Sequence, residues 1–205
     1  NLYETVIRGG FCIGCGACST VPNSGYRIEM DAYGKFQAVP AKKNSDNLIK
    51  NDMGLFVCPF SDESLDEDKL SDEFLPSELK RDLRLGKYTA LLAGYVKEGS
   101  FRADGSSGGI VTWMLCQLLI KGDIDSVLHV KAVDPETDPD SLLFRYGISH
   151  TLEETKAGSK SRYYAVEMSE VLAQVRSEPG RYAVVGVPCF IKAVRLLMHA
   201  DPILK

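Results

Sequence analysis

Hydrophobic and polar positions follow two different rhythms along this chain. Between residues 26 and 40 the rhythm has period two. Tyr26-Arg27-Ile28-Glu29-Met30-Asp31 and Lys35-Phe36-Gln37-Ala38-Val39-Pro40 flank a Tyr33-Gly34 break, which predicts a β-hairpin. From Ile110 to Ile120 the rhythm is helical: Val111, Met114, Leu115, Leu118 and Leu119 recur at helix spacing, and Lys121-Gly122 closes the run. Further strands are expected at Thr89–Val96, Ser126–Val133, Phe144–His150 and the apolar run Tyr182–Val187. Helices are expected over 50–58, 74–86, Met168–Ser177 and Phe190–His199, with Pro188 suited to a first helical turn that needs no amide. Strands alternating with helices in the second half predict an α/β layer with some parallel pairing.

The candidate chemistry begins at Phe11-Cys12-Ile13-Gly14-Cys15-Gly16-Ala17-Cys18. Three cysteines two residues apart can turn three thiolates toward one point, and Gly14, Gly16 and Ala17 leave room between them. This is the front of a bacterial-ferredoxin run, which takes a fourth cysteine followed by proline from elsewhere; Cys58-Pro59 supplies it. Cys12, Cys15, Cys18 and Cys58 are therefore the expected ligands of one [4Fe-4S] cluster. Zinc sites use cysteine pairs, and disulfide frameworks belong to small, cysteine-dense secreted domains, so both alternatives fit less well.

These elements divide the chain. Residues 1–60 read as a small ferredoxin-like [4Fe-4S] module, with the 50–58 helix delivering Cys58. Residues 61–87 read as an acidic linker and short helix, the stretch from Ser61 to Glu73 being rich in Asp and Glu. Residues 88–205 read as an α/β domain with a mixed sheet. The fold class is thus α+β in the first part and α/β in the second.

Composition adjusts this picture only slightly. A 44% hydrophobic share in 205 residues is enough for a real core, and a formal net charge of −4 argues against a nucleic-acid surface. No apolar run approaches the ~20 residues of a membrane span, and no signal-peptide pattern opens the chain. The first residue is Asn, so a trimmed N-terminus is expected. Six cysteines, four of them claimed by a cluster, fit a reducing compartment, and the cytoplasm is the expected location.

Two segments look like anion-binding helix starts. Ser106-Ser107-Gly108-Gly109 offers open amides and two hydroxyls at the head of the 110–120 helix, suited to phosphate or simply to an N-cap; it is neither a Walker loop nor a GxGxxG turn. Gly186-Val187-Pro188-Cys189 lies where a strand ends and a helix begins, a place where the helix dipole favours a thiolate, although a small buried side chain at a tight corner reads equally well. Gly158-Ser159-Lys160-Ser161-Arg162 gathers two cations and two hydroxyls that could hold phosphate or carboxylate, or form a solvated loop. Tyr163 and Tyr164 could stack on a ring or merely pack. Cys116 reads as a structural buried thiol, and His129, His150 and His199 as ordinary strand and helix residues without metal spacing.

Taken in order, Cys-Ile-Gly-Cys-Gly-Ala-Cys, Cys58-Pro59, Gly-Ser-Ser-Gly-Gly at 105–109, Gly-Ser-Lys at 158–160 and Gly-Val-Pro-Cys at 186–189 resemble the beta-subunit family of coenzyme F420 hydrogenase/dehydrogenase. The resemblance implies an iron–sulfur flavoprotein oxidoreductase that passes electrons between the [4Fe-4S] cluster and FAD. Its redox partner would be the deazaflavin coenzyme F420, ferredoxin or a similar carrier; relatives similar to hydroxymethyl- or divinyl-chlorophyllide reductases reduce tetrapyrroles. It makes Ser106, Ser107, Gly108, Gly109, Gly158, Ser159, Lys160 and Arg162 expected FAD contacts, and puts Pro188 and Cys189 near the flavin or a second cluster. Membership of a larger complex or a homo-oligomer is implied as well. Such proteins usually continue past this point with further cysteines, so an incomplete C-terminal part is expected. The rival reading is a non-catalytic electron-transfer subunit that carries only the cluster.

Overall fold

The computed structural model describes residues 1–41, 52–134, 136 and 142–205. The chain opens with a π-helical turn, Tyr3–Ile7, and a short helix α1, Ala17–Thr20. The hairpin β1, Tyr26–Met30, and β2, Phe36–Pro40, follows as the period-two pattern predicts. It is antiparallel with Tyr26 opposite Pro40 and Met30 opposite Phe36. The turn is closed by Asp31, whose Oδ1 accepts from the amides of Tyr33 and Lys35, and by Gly34 at φ +76°.

Beyond the hairpin, helix α2 occupies Gly54–Val57; the start of the expected 50–58 helix lies outside the described residues. The acidic stretch holds structure of its own. Helix α3, Glu67–Phe74, is capped by Asp66, whose Oδ1 accepts from the Lys69 amide, and it buries Leu70. The helix expected over 74–86 is not there; residues Lys80–Asp82 and Gly86–Tyr88 pair instead as the antiparallel strands β3 and β4. The segment expected as a strand over 89–96 is irregular, held at its end by the Val96 amide donating to Gly108 O over 2.9 Å.

The second half follows the helix–strand alternation closely. After a short helix α4, Phe101–Asp104, come α5, Ile110–Lys121, strand β5, Ser126–Ala132, and strand β6, Phe144–Ser149. Helices α6, Leu152–Ala157, and α7, Ser169–Ser177, lead to strand β7, Tyr182–Val184, and helix α8, Pro188–Ala200. The sheet order is β6-β5-β7, with β5 antiparallel to β6 and parallel to β7, so this is a mixed α/β fold with a mixed sheet. β7 is shorter than the 182–187 expected, because after Val185 donates to Leu128 O the chain turns into the proline that opens α8.

One apolar core runs through both halves. Leu2, Val6, Ala17 and Val57 from the first sixty residues share it with Leu128, Met168, Leu172, Leu196 and Leu197. The cysteine loop is therefore seated on α7 and α8 as well as on its own hairpin. An ion pair between Lys192 and Glu67 (3.1 Å) and a hydrogen bond between His199 Nδ1 and Glu73 Oε2 (2.6 Å) tie α3 to α8 at the surface.

Candidate functional site: two neighbouring cavities

The triplet loop is shaped by its glycines. Gly14, at φ +64°, lies so close to β2 that a Cβ there would meet Phe36 O at 2.2 Å, and Gly16 stands at φ +91°. Any other residue at Gly14 would push the loop off the hairpin. The hairpin in turn presents a donor: the Ala38 amide points at Cys12 Sγ over 3.4 Å. Helix α2 carries Cys58 at its C-terminal end, where the Cys58 amide donates to Gly54 O over 3.0 Å.

These elements bring Cys12, Cys15, Cys18 and Cys58 to the wall of one apolar cavity, together with Ile13, Ile28, Ala38, Pro59 and Phe60. All four thiols are free. Burial pushes the Cys15 thiol up to about 12, with the charges of Cys58, Cys12 and Cys189 adding to the rise. Burial likewise carries Cys18 well above the ordinary thiol range and raises Cys58, while the amides of Phe60 and Ser61 favour the Cys58 thiolate. Such thiols stay protonated until a metal supplies the compensating charge, which is how ligand thiols behave. Among the described residues, no group of three or more His, Cys, Asp or Glu side chains is set to hold a metal ion. A cluster makes a different demand, because it spreads its four thiolates over four irons. Four sulfur donors, amides aimed at them and no carboxylate or imidazole in the wall form the donor chemistry that an iron–sulfur group needs.

The second cavity is larger, about 680 Å³, within the ~300–1,000 Å³ of small-molecule and cofactor clefts. Its wall carries Ser106, Ser107, Gly108 and Gly109 from one loop and Gly158, Ser159, Lys160 and Arg162 from the other. The two loops, unconnected in sequence, are bonded to each other. Ser161 donates its amide to Ser106 Oγ over 2.8 Å, and Ser159 Oγ donates to Asp104 O over 2.9 Å. The amides at the start of α5 and the cations of the 158–162 loop thus face one space, an arrangement that can hold a phosphorylated ligand.

The glycines there serve the protein's own packing first. A Cβ on Gly108 would meet Gly94 O at 2.7 Å, and one on Gly109, at φ +74°, would meet Phe101 O at 2.3 Å. Arg162 lies over the Phe144 ring at 5.2 Å, and Tyr164 packs edge-on against the same ring at 5.5 Å; Tyr163 is fully exposed.

Ser106 to Gly109, Gly158 to Lys160 and Arg162 therefore come together. Pro188 and Cys189 do not join them: Val185, Gly186, Val187 and Phe190 line the cavity, while Pro188 begins α8 and Cys189 packs against the core. Cys189 is close enough to Cys15 and to the Tyr146 hydroxyl for its charge to bear on both. Cys116 is buried within α5, as its apolar helix implies.

His129 was legible only as a strand residue, yet it lies on the wall of the larger cavity. Its Nε2 is 2.7 Å from Ser149 Oγ, and its ring is pressed against Gly158, where a Cβ would meet Cε1 at 2.2 Å. Burial, then the nearby Lys131 charge, hold it down to about 4, so the ring is neutral at pH 7. The available signal was a lone histidine inside an otherwise apolar strand. Ile13, between Cys12 and Cys15, borders both cavities.

The fold and its cavities define a mixed α/β protein with a thiol-lined cage beside a cleft suited to a phosphorylated ligand. Residues 91–173 match the family model described as coenzyme F420 hydrogenase/dehydrogenase, beta subunit N-term. That stretch contains both glycine-bearing loops and ends before α8; the four cage cysteines lie outside it. Among solved structures, the chain is similar to one from the F420-reducing [NiFe] hydrogenase complex of Methanosarcina barkeri, a study of xenon derivatization. The TM-score is 0.51 at 23% identity, over 61% of this chain and 42% of that one. At that identity the likeness is one of fold, and the chain spans less than half of the matched protein's length. No curated protein matches. The family likeness is carried by residues 91–173, and the likeness to the solved structure is one of fold. Among the described residues, no helix is long and apolar enough to cross a membrane.

Proposed function

We propose that this chain is an oxidoreductase subunit that moves electrons between a [4Fe-4S] cluster on Cys12, Cys15, Cys18 and Cys58 and FAD in the larger cavity. The observation that carries the reading is the shared wall: Ile13 borders the cysteine cage on one side and the cleft on the other. A flavin exchanges electrons in pairs or singly, and a cluster carries one at a time, so the pair links two-electron to one-electron chemistry.

The residues have separate tasks in this scheme. The four thiolates hold the iron, and the Ala38 amide, 3.4 Å from Cys12 Sγ, stabilises negative charge on sulfur. The amides of Ser107 to Gly109, at the positive end of α5, and the Lys160 and Arg162 cations hold phosphate oxygens. Apolar side chains such as Val130, Leu115 and Phe190 cover the rest of the cleft and keep water from the reacting ring. A deazaflavin such as coenzyme F420, or a ferredoxin-like carrier, is the redox partner that this family reading favours, within a larger complex.

Anaerobic purification with iron, sulfide and flavin quantitation tests it. About four irons, about four sulfides and about one FAD per chain are expected. A loaded cluster with no flavin bound, even on adding FAD, would leave a cluster-only electron carrier in its place.

A further inference from the structure

Glu167 stands where the turn before α7 closes on the cysteine loop. Its Oε2 accepts from the Ser169 amide over 2.6 Å. A Cβ placed on Gly16 would meet that same oxygen at 2.7 Å and the Ser169 nitrogen at 2.6 Å. The carboxylate is thus pressed against the backbone between Cys15 and Cys18. The Met168 amide donates to Cys15 O over 3.1 Å and fixes the same turn to the same loop.

Among the described residues, no cation is paired with this carboxylate. The group that acts on Glu167 through charge is Glu170, one turn away on α7; its other neighbours are the amide and hydroxyl of Ser169. Lys192 of α8 faces Cys58, not Glu167, and is already paired with Glu67 at 3.1 Å. Glu167 is half-buried; burial raises its pKa, and the Ser169 hydrogen bonds favour the ionised form.

The Ser169 amide needs only an oxygen acceptor, and an amide side chain would provide one. A carboxylate adds a full negative charge at short range to the loop that carries two of the four thiolates. Reduction of an iron–sulfur group adds an electron there, and a negative charge held close by in a half-buried setting opposes it.

We propose that Glu167 is an electrostatic tuning residue, whose carboxylate, packed on the Cys15–Cys18 loop, lowers the reduction potential of the iron–sulfur group held by that loop. This rests on the reading of the four cysteines as cluster ligands. Glu167 touches no ligand atom; it acts through the loop.

The test uses the full chain, loaded anaerobically, with iron and sulfide assayed and the potential read by EPR-monitored redox titration. Glu167→Gln keeps the acceptor for Ser169 and removes the charge. It is expected to retain iron while favouring the reduced state about tenfold, an upward shift of ~59 mV for a one-electron couple. Glu167→Asp, which keeps the charge, is expected to stay close to the wild-type potential. A loaded Glu167→Gln protein at the wild-type potential overturns the proposal and leaves the cluster reading intact. Should Glu167→Gln fail to load, Glu167→Ala is the second neutral variant. Loss of iron in both, with normal loading of Glu167→Asp, assigns the carboxylate to building the loop and also overturns the proposal. Wild-type protein that takes up no iron sinks the cluster reading itself, and this inference with it.

Discussion

The Ser161 amide donates to Ser106 Oγ over 2.8 Å, bonding two loops that lie 55 residues apart in sequence. The bond fixes the spacing between the amides at the head of α5 and the Lys160 and Arg162 cations. Ser106→Ala would leave that amide without its partner, at a cost of about 1 kcal/mol. FAD affinity should fall by roughly 3- to 10-fold, as read by quenching of flavin fluorescence on titration. Unchanged affinity would remove this loop from the binding machinery.

The cage cysteines and the buried cysteine of α5 should respond in opposite ways. Cys15→Ala is expected to abolish iron, sulfide and the brown cluster absorbance. Cys116→Ala should keep all three, since that thiol is buried in a helix away from the cage. Normal iron content in the Cys15 variant would contradict the ligand assignment.

Gly158→Ala addresses the packing of His129. The added methyl would meet the ring at 2.2 Å, so the imidazole must move from Ser149. Overpacking of this kind costs about 1–3 kcal/mol, and at this chain length each kcal/mol lowers the melting temperature by roughly 2–4 °C. The double variant Gly158→Ala/His129→Ala should recover part of the loss in thermal unfolding. Strictly additive losses would show that the two residues do not touch.

His129 also gives the protein a defined pH response. Burial foremost, then Lys131, hold it down to about 4, with Glu154 working the other way. Between there and the ordinary value of ~6.5 the unfolded chain binds a proton that the folded chain does not. Stability therefore rises with pH across this window: the contribution is fully present above about 6.5 and is lost as pH falls toward about 4. Discounted for the solvent reaching the ring from the cavity, it is on the order of 2 kcal/mol. Urea unfolding of wild type and His129→Gln at pH 5 and pH 7 checks this: the wild type should lose more stability on acidification than the variant.

Much of this architecture was legible in the residue pattern. The 26–40 hairpin, α5 and the strands around His129 and Tyr146 have strong periodicity and clear punctuation, Gly34 and Gly122 above all. The acidic stretch reads as a linker because charge dominates its composition, although the Asp66 cap and the buried Leu70 mark a helix. Residues 74–86 read as helical because the hairpin from Lys80 to Tyr88 is short, charged and without an apolar alternation; Gly86 is the clue. The 89–96 segment has strand composition but pairs with no strand among the described residues, and pairing is a tertiary fact. The cysteine spacing and the two glycine loops pointed to residues that line the two cavities. What no local pattern could supply was that these loops bond to each other, that His129 stands beside them, or that Cys189 packs against the core with both Cys15 and Tyr146 near it.

Ile13 deserves a last consequence. A partition one side chain thick needs no hinge or sliding helix to let charge cross it. With both redox groups in place, the crossing would be a tunnelling event through a hydrocarbon screen, so its rate should be nearly indifferent to solvent viscosity. The slow steps of turnover would then fall at the outer faces of the two compartments, where carriers arrive and leave.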